Sequence, residues 1–221
     1  MISKMELSSL DIGYSNSAPI LMGIDAELIA GQMVALIGRN GSGKSTLLRT
    51  MAGILPPLVG TVNGERPAIV LTAMPELRNT TVRQMVAYGR LQYTGFVGRL
   101  LTTDYDAADR AIDQLGIHKL VPRLFCDLSD GEKQKVMIAR ALAQDTTTLL
   151  LDEPSAFLDY PSRLLLMQQL RALAQHEGKA ILVSTHDIEL AMQYASELWV
   201  IRDGKLITGI DPKTFNPQSL L

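Results

Sequence analysis

A glycine-rich loop between a short apolar run and a helical stretch constrains this chain more than any other feature. Residues 32–37 form the apolar run, which predicts a buried strand, and residues 45–55 have a helical pattern. Successive backbone N–H groups in such a loop turn inward at a helix N-terminus, so the segment predicts a phosphate site. A glycine-rich turn that fits by chance is the alternative. The loop matches G-x-x-x-x-G-K-[ST] and consists of Gly38, Arg39, Asn40, Gly41, Ser42, Gly43, Lys44 and Ser45.

The end of this loop carries the groups that a nucleoside triphosphate requires. Lys44 supplies a full positive charge to the β- and γ-phosphates, and the Ser45 hydroxyl is a ligand for Mg²⁺. Thr46, the next residue, belongs to the same predicted nucleotide contact. The loop therefore predicts a Walker A site for ATP.

Two acids at the end of another apolar run predict the second half of the site. Residues 149–151 are leucines, and Asp152 and Glu153 follow them directly. In P-loop enzymes an acid at a strand end holds Mg²⁺, which we assign to Asp152. Glu153 lies one residue further on and is the candidate general base for an attacking water. If the two acids are considered without the phosphate loop, the alternative is that they are simply a solvated end of the strand.

The rest of the chain alternates strands with helices. Short apolar runs at residues 148–151 and 180–184 predict buried strands, and residues 162–175 and 186–195 predict helices. Within the first helix, Leu166, Leu170 and Leu173 share one face. Strands separated by helices indicate βαβ units and a mainly parallel sheet.

Two segments depart from that alternation. Residues 198–207 predict a hairpin that turns at Asp203 and Gly204. Residues 76–140 contain no clear buried strand and predict a mostly helical insertion, with helices at 82–90, 105–115 and 132–144.

The composition of the 221-residue chain disfavours several classes of function. The net charge is −2 and the sequence pI about 5.9, which disfavours a nucleic-acid binder that works through a broad basic surface. A single cysteine, Cys126, excludes an internal disulfide and is expected to be a small buried residue. No run of 18 apolar residues occurs, so we expect a cytoplasmic chain without a membrane span.

A third motif connects these features. The run Leu-Ser-Asp-Gly-Glu-Lys-Gln at residues 128–134 resembles the LSGGQ-type signature of ABC ATPases, about twenty residues before the acidic strand end. Ser129 and Gly131 offer a hydroxyl and a bare backbone N–H at a helix start, which is an anion site. Ser129 with Glu132 is also a capping box, and the two roles are compatible.

Three further elements match the same family. Residues 155–159 resemble the D-loop, with Asp159 as the link between two chains. His186 resembles the switch histidine after a buried strand, although a lone histidine is more often structural. Tyr14 lies where the family stacks an aromatic residue on adenine, although alone it would be a half-buried strand residue. The resemblance extends over about residues 3–210.

A weaker sequence similarity indicates one subgroup of this family. Residues 85–90, Met-Val-Ala-Tyr-Gly-Arg, followed by Tyr-Thr-Gly at 93–95, resemble ATP-binding subunits of bacterial importers for iron–siderophore, haem and cobalamin complexes.

One departure from the family concerns the strand that enters the helical insertion. The family usually has a glutamine there, but residues 69–76 contain none. Thr72 or Ala73 falls at the position by spacing, and Glu76 is a candidate substitute. The departure concerns how the γ-phosphate is sensed and does not affect the prediction of ATP binding.

The resemblance implies an α/β fold, a P-loop (RecA-like) ABC ATPase core with a mostly helical insertion subdomain. We expect one ABC ATPase domain, with residues 1–75 and 141–221 as the nucleotide-binding core and 76–140 as the signature subdomain. The cofactors are ATP and Mg²⁺, and the catalytic residues are Lys44, Glu153 and His186.

The resemblance also implies partners. A second copy completes each site with Ser129 and Gly131, so that two chains sandwich two ATP molecules head to tail. Transmembrane permease subunits would hold the chain at the cytoplasmic face of the inner membrane, with an extracytoplasmic substrate-binding protein in the wider system and no nucleic acid. Residues 91–104, with Tyr93, Phe96, Val97 and Arg99, are a candidate docking surface or an ordinary loop.

Two alternatives remain open. The first is a soluble ABC ATPase without a permease, for example in iron–sulfur assembly. The second is an ATP-binding clamp with slow turnover, suggested by the missing glutamine.

Overall fold

The computed structural model describes residues 4–15, 17–95 and 98–220. Within these ranges two sheets and several helices form the fold. The strands are β1 (Lys4–Ile12), β2 (Leu21–Ile29), β3 (Met33–Gly38), β4 (Val59–Asn63), β5 (Ala68–Val70), β6 (Thr148–Asp152), β7 (Ala180–Ser184), β8 (Glu197–Arg202) and β9 (Lys205–Ile210). The α-helices are α1 (Lys44–Met51), α2 (Val82–Ala87), α3 (Thr102–Leu115), α4 (Asp130–Leu142), α5 (Tyr160–Glu177) and α6 (Ile188–Tyr194).

The larger sheet has the strand order β5-β6-β7-β3-β8-β9. Its first five strands are parallel and β9 pairs antiparallel with β8 through the predicted hairpin. Strands β3, β6 and β7 are buried along their whole length, because helices cover both faces of a parallel sheet. The prediction of a mainly parallel α/β core is confirmed.

The smaller sheet was not predicted. It is antiparallel, with the order β2-β1-β4. Buried and exposed residues largely alternate along β2, because only one face of this sheet is covered. Because β2 contains no continuous buried run, the apolar pattern of the sequence did not indicate this sheet. Its buried face packs with the core around Leu36, Leu47 and Trp199.

The helices of the α/β core begin and end near their predicted bounds. Helix α5 buries Leu166, Leu170 and Leu173 as expected. Helix α1 is shorter than the predicted 45–55, because the chain turns at Gly53, whose φ is +68° in the left-handed region.

Helices α2, α3 and α4 pack against one another and correspond to the three predicted helices, although α2 and α4 end before their predicted bounds. Helix α2 continues as the 3₁₀ helix Tyr88–Tyr93, and a further 3₁₀ turn, Phe125–Asp127, precedes α4. Among the described residues no helix is both long and apolar enough to cross a lipid bilayer.

The Tyr-Gly-Arg run that pointed to a subgroup has a structural explanation. A β carbon on Gly89 would clash with the backbone carbonyl of Arg140, so glycine lets the 3₁₀ helix lie directly on α4. Arg90 donates to Asp104 Oδ1 at 3.2 Å and to the Ala143 carbonyl at 3.3 Å. This run joins α2, α3 and the end of α4.

Cys126 is exposed, which corrects the expectation of a buried residue. It lies in the 3₁₀ turn before α4, where Phe125 takes the buried position. Its Sγ is 3.4 Å from Asp127 Oδ1.

Candidate functional site

Parallel strands bring the predicted site residues to one edge of the larger sheet. The glycine-rich loop follows β3, Asp152 ends β6, and Ser184 ends β7, which lies between them in the sheet. The carboxyl ends of parallel strands meet at a single edge, where α/β proteins commonly bind ligands. The phosphate loop, Asp152 and Ser184 therefore lie together at one edge of the larger sheet.

Lys44 begins α1, and its ammonium group reaches back to the start of the phosphate loop. Its Nζ donates to the carbonyl of Gly38 at 2.8 Å and to that of Arg39 at 3.3 Å, and the residue is buried. Burial lowers the pKa of Lys44, and the charges of Glu153 and Asp152 oppose that effect. The negative charge of each acid therefore favours the charged form of Lys44.

The loop fits a phosphate group in two respects. The Oγ of Ser42 is buried and has no hydrogen-bond partner among the described residues, so a polar group is available to a ligand. Gly41 and Gly43 have φ values of +77° and +108°, which only glycine adopts readily. A side chain at Gly43 would also strike Ile20.

Asp152 and Glu153 are held differently. Asp152 is buried, and its Oδ1 accepts a hydrogen bond from Ser184 Oγ at 2.7 Å. Glu153 adopts a φ of +50°, an uncommon conformation for a residue with a β carbon, and its backbone N–H donates to the same Ser184 oxygen at 3.0 Å. Such departures are concentrated at functional sites.

Glu153 and His186 form a direct pair. His186 Nε2 lies 2.5 Å from Glu153 Oε1, and both side chains are partly exposed. A cavity of about 170 Å³ adjoins them and is also lined by Ser155, Arg163 and Asp187. The general base candidate and the switch histidine therefore face the same open space.

Arg163 was missed by the sequence analysis. Its Nε donates to the carbonyl of Leu158 at 2.8 Å, and its Nη1 lies 3.8 Å from Asp187 Oδ2. It connects the predicted D-loop to the start of α6. Its position on the first turn of α5, one turn after Asp159, was the only available signal.

The signature residues lie at the start of α4. Ser129 is the N-cap and forms a full capping box with Glu132, which accepts from the Ser129 N–H at 2.9 Å. A β carbon on Gly131 would lie 2.9 Å from the carbonyl oxygen of Phe157. Glycine at this position thus brings the signature against the predicted D-loop of its own chain.

Asp159 caps a helix, whereas Tyr14 lies in a connection between two strands. Asp159 is the N-cap of α5, where hydrogen bonds from Ser162 hold its pKa below the ordinary range. Tyr14 is 47% exposed in the connection between β1 and β2, so it is not a half-buried strand residue. The end of this connection, Ile20, packs at Gly43 of the phosphate loop.

The remaining predicted residues of the phosphate loop differ in their exposure. Ser45 and Thr46 lie in the first turn of α1, Thr46 buried and Ser45 partly buried, while Arg39 and Asn40 are exposed. Thr72, Ala73 and Glu76 follow β5 and are exposed.

Glu76 lines a separate cavity. That cavity of about 340 Å³ is also lined by Cys126 and Lys133. The structure therefore assigns Glu76 to a different cavity from the one beside Glu153, and its substitution for the missing glutamine stays a prediction.

A phosphate loop after β3, two acids at the end of β6 and a histidine two residues after β7 define a P-loop nucleotide-binding protein with an α/β core. The family model for the ABC transporter matches residues 21–156. The chain belongs to the ABC transporter family, and the predicted ABC ATPase cassette fold is confirmed.

Three relatives illustrate that membership. The achromobactin transport ATP-binding protein of Dickeya dadantii is 37% identical over 88% of this chain and 77% of its own length. The cobalamin import ATP-binding protein of Halobacterium salinarum is 36% identical over 91% of this chain, which spans only 54% of that relative. A solved inward-facing ABC transporter of metal-chelate type has a TM-score of 0.90 at 26% identity, covering 100% of this chain and 88% of that chain.

Proposed function

We propose that this chain is the ATP-hydrolysing subunit of a membrane importer for a metal chelate, of the iron–siderophore, haem or cobalamin class. The observation that carries the ATPase part is the convergence of Lys44, Asp152, Glu153 and His186 at one sheet edge. The importer part is supported by the names of the achromobactin and cobalamin relatives.

The chain's own residues suit a Mg²⁺ ion that is held partly by phosphate oxygens. Ser45 and Asp152 are the two proposed protein ligands. Among the described residues no group of three His, Cys, Asp or Glu side chains could hold a metal ion alone, and Mg²⁺ sites on nucleotides typically use few protein ligands. When bound, the ion supplies charge neutralisation at the phosphates.

We propose a role for each side chain of the site from its position. Lys44 and the loop N–H groups bind the β- and γ-phosphates, with the Ser42 hydroxyl as an additional donor. Glu153 accepts a proton from the attacking water, and His186 holds Glu153 and contacts the γ-phosphate. Tyr14 stacks on the adenine, as the family resemblance implies.

We also propose that two copies form the active unit. Ser129 and Gly131 of one copy would complete the site of the other, with Asp159 at the junction between them. Capping by Glu132 already engages the Ser129 hydroxyl, so the N–H groups at the start of α4 are the principal anion donors in this proposal. The ATP molecules then hold the two copies together, and hydrolysis releases them.

The helical part, residues 76–140, is the proposed signature subdomain, and residues 1–75 and 141–221 form the proposed nucleotide-binding core. We propose that residues 91–104 dock on a transmembrane permease at the cytoplasmic face of the inner membrane. Leu91, Tyr93 and Leu101 are exposed by 44%, 52% and 60%, which supports an apolar contact there. Phe96 and Val97 lie outside the described residues.

A docking experiment tests the importer part. Leu101→Ser should lower recovery of a multi-span membrane protein by about tenfold in pull-downs from solubilised membranes, while the soluble ATPase rate is unchanged. Ile54→Ser is the matched control, because Ile54 is similarly exposed at 51% but follows α1. Equal recovery with both variants would contradict the docking surface.

The two alternative functions, a soluble ABC ATPase and an ATP-binding clamp, predict different results in the pull-down and in an ATPase assay. A soluble ABC ATPase would hydrolyse ATP but recover no membrane protein with either variant. A clamp would bind ATP without releasing phosphate, which the Glu153–His186 pair argues against.

A further inference from the structure

Ser184 is the last residue of β7 and is fully buried. It lies in register with Asp152 on one neighbouring strand and with Leu36 on the other. Its hydroxyl donates to Asp152 Oδ1 at 2.7 Å and accepts from the Glu153 N–H at 3.0 Å. A hydroxyl has one proton and two lone pairs, so both bonds form together.

The first bond fixes the carboxylate of Asp152. The Ser184 hydroxyl restrains Oδ1, and Oδ2 accepts no hydrogen bond from the described residues. Partners of this kind orient acids that bind metal ions, and the ions depend on them for affinity.

The second bond fixes the backbone of Glu153. That residue has a φ of +50°, which a residue with a β carbon adopts only when its surroundings impose it. The bond to Ser184 holds the N–H in this conformation, from which the side chain reaches His186.

We propose that Ser184 is a positioning residue for Mg-ATP: one hydroxyl aims the acid that holds the cation and the acid that activates water. The inference rests on the proposed function of the site. It differs from a purely structural role, in which the same two bonds would only secure the strand end.

Ser196 provides a matched control. Its Oγ donates to the Met33 carbonyl at 3.1 Å and accepts from the Met33 N–H at 3.0 Å, so it also bridges one donor and one acceptor. Met33 begins β3, so this bridge lies at the opposite end of the strand from the phosphate loop.

The experiment measures the affinity for a non-hydrolysable ATP analogue, once in EDTA and once with Mg²⁺, for the wild type, Ser184→Ala and Ser196→Ala. We expect Ser184→Ala to keep the affinity in EDTA within about twofold of the wild type, because Lys44 and its loop remain. The gain in affinity from Mg²⁺ should fall about tenfold or more. Ser196→Ala should behave as the wild type, and the ATPase rate should fall only in Ser184→Ala.

Two outcomes overturn the inference alone. One is an unchanged Mg²⁺ gain in Ser184→Ala, and the other is an equal loss of affinity in EDTA and in Mg²⁺, which a structural role predicts. A wild type with no Mg²⁺ gain overturns the Mg²⁺ assignment in the proposed function as well. If Ser184→Ala does not fold, Ser184→Cys replaces it, because a thiol is a weak donor of similar size and the Mg²⁺ gain should fall in the same direction.

Discussion

Gly89→Ala should destabilise the protein by overpacking the contact between the 3₁₀ helix Tyr88–Tyr93 and α4. A β carbon there would clash with the Arg140 carbonyl and lie 3.4 Å from the Ala143 methyl group. The carbonyl belongs to a helix backbone and has no alternative rotamer, so the 3₁₀ helix must move away. Overpacking of this kind typically costs about 1–3 kcal/mol.

The movement also strains two hydrogen bonds that cross the contact. Arg90 donates to the Ala143 carbonyl at 3.3 Å and Tyr93 to the Gln144 carbonyl at 2.6 Å, and each contributes roughly 1 kcal/mol. The lower chain entropy of alanine in the unfolded state offsets about 0.4–1 kcal/mol. The net loss is about 3 kcal/mol, or roughly 6–12 °C in Tm for a domain of this size.

Calorimetry of the wild type, Gly89→Ala and Gly95→Ala measures this loss of stability. Gly95→Ala is the control, because a β carbon there meets no atom within 4 Å and the same segment of chain is changed. We expect Gly95→Ala to melt within about 1–2 °C of the wild type. If Gly89→Ala has the same Tm as the Gly95→Ala control, the packing argument is refuted.

Two further predictions concern the site and the signature helix. Lys44→Ala should lose ATP affinity in a binding titration, because the buried ammonium is the main charge facing the phosphates, and unchanged affinity would exclude the phosphate loop. The Ser129 N–H holds the pKa of Glu132 below its usual 4.5, so that stabilisation is complete above about pH 5 and is lost as pH falls through the lowered pKa. Glu132→Gln should therefore lose less stability in urea than the wild type between roughly pH 6 and pH 3, and parallel losses would count against the capping box.

The sequence predicted the buried strands of the parallel sheet because β3, β6 and β7 are covered on both faces and appear as continuous apolar runs. The antiparallel sheet was missed because β2 alternates buried and exposed residues and includes Gly23. Its pairing with β1 and β4 depends on contacts between distant segments.

The same distinction applies to the site. Motifs at the ends of apolar runs predicted Lys44, Asp152 and Glu153, and the resemblance to ABC ATPases implied His186. All four lie at the same edge of the larger sheet. Sequence patterns did not predict the Ser184 bridge or the Arg163 link, since both depend on distances across strands and loops. Cys126 was wrongly expected to be buried, because the packing of a short 3₁₀ turn decides which neighbour faces the core.

We propose that this chain hydrolyses ATP as a dimer with Glu153 as the base. Phosphate release from Mg-ATP should be measured for the wild type and Glu153→Gln across a range of protein concentration. On this proposal we expect a wild-type rate that rises faster than linearly with concentration, and a variant that binds ATP but turns over about 10²–10⁴-fold more slowly. A variant rate near that of the wild type, or a rate strictly proportional to concentration, would contradict it.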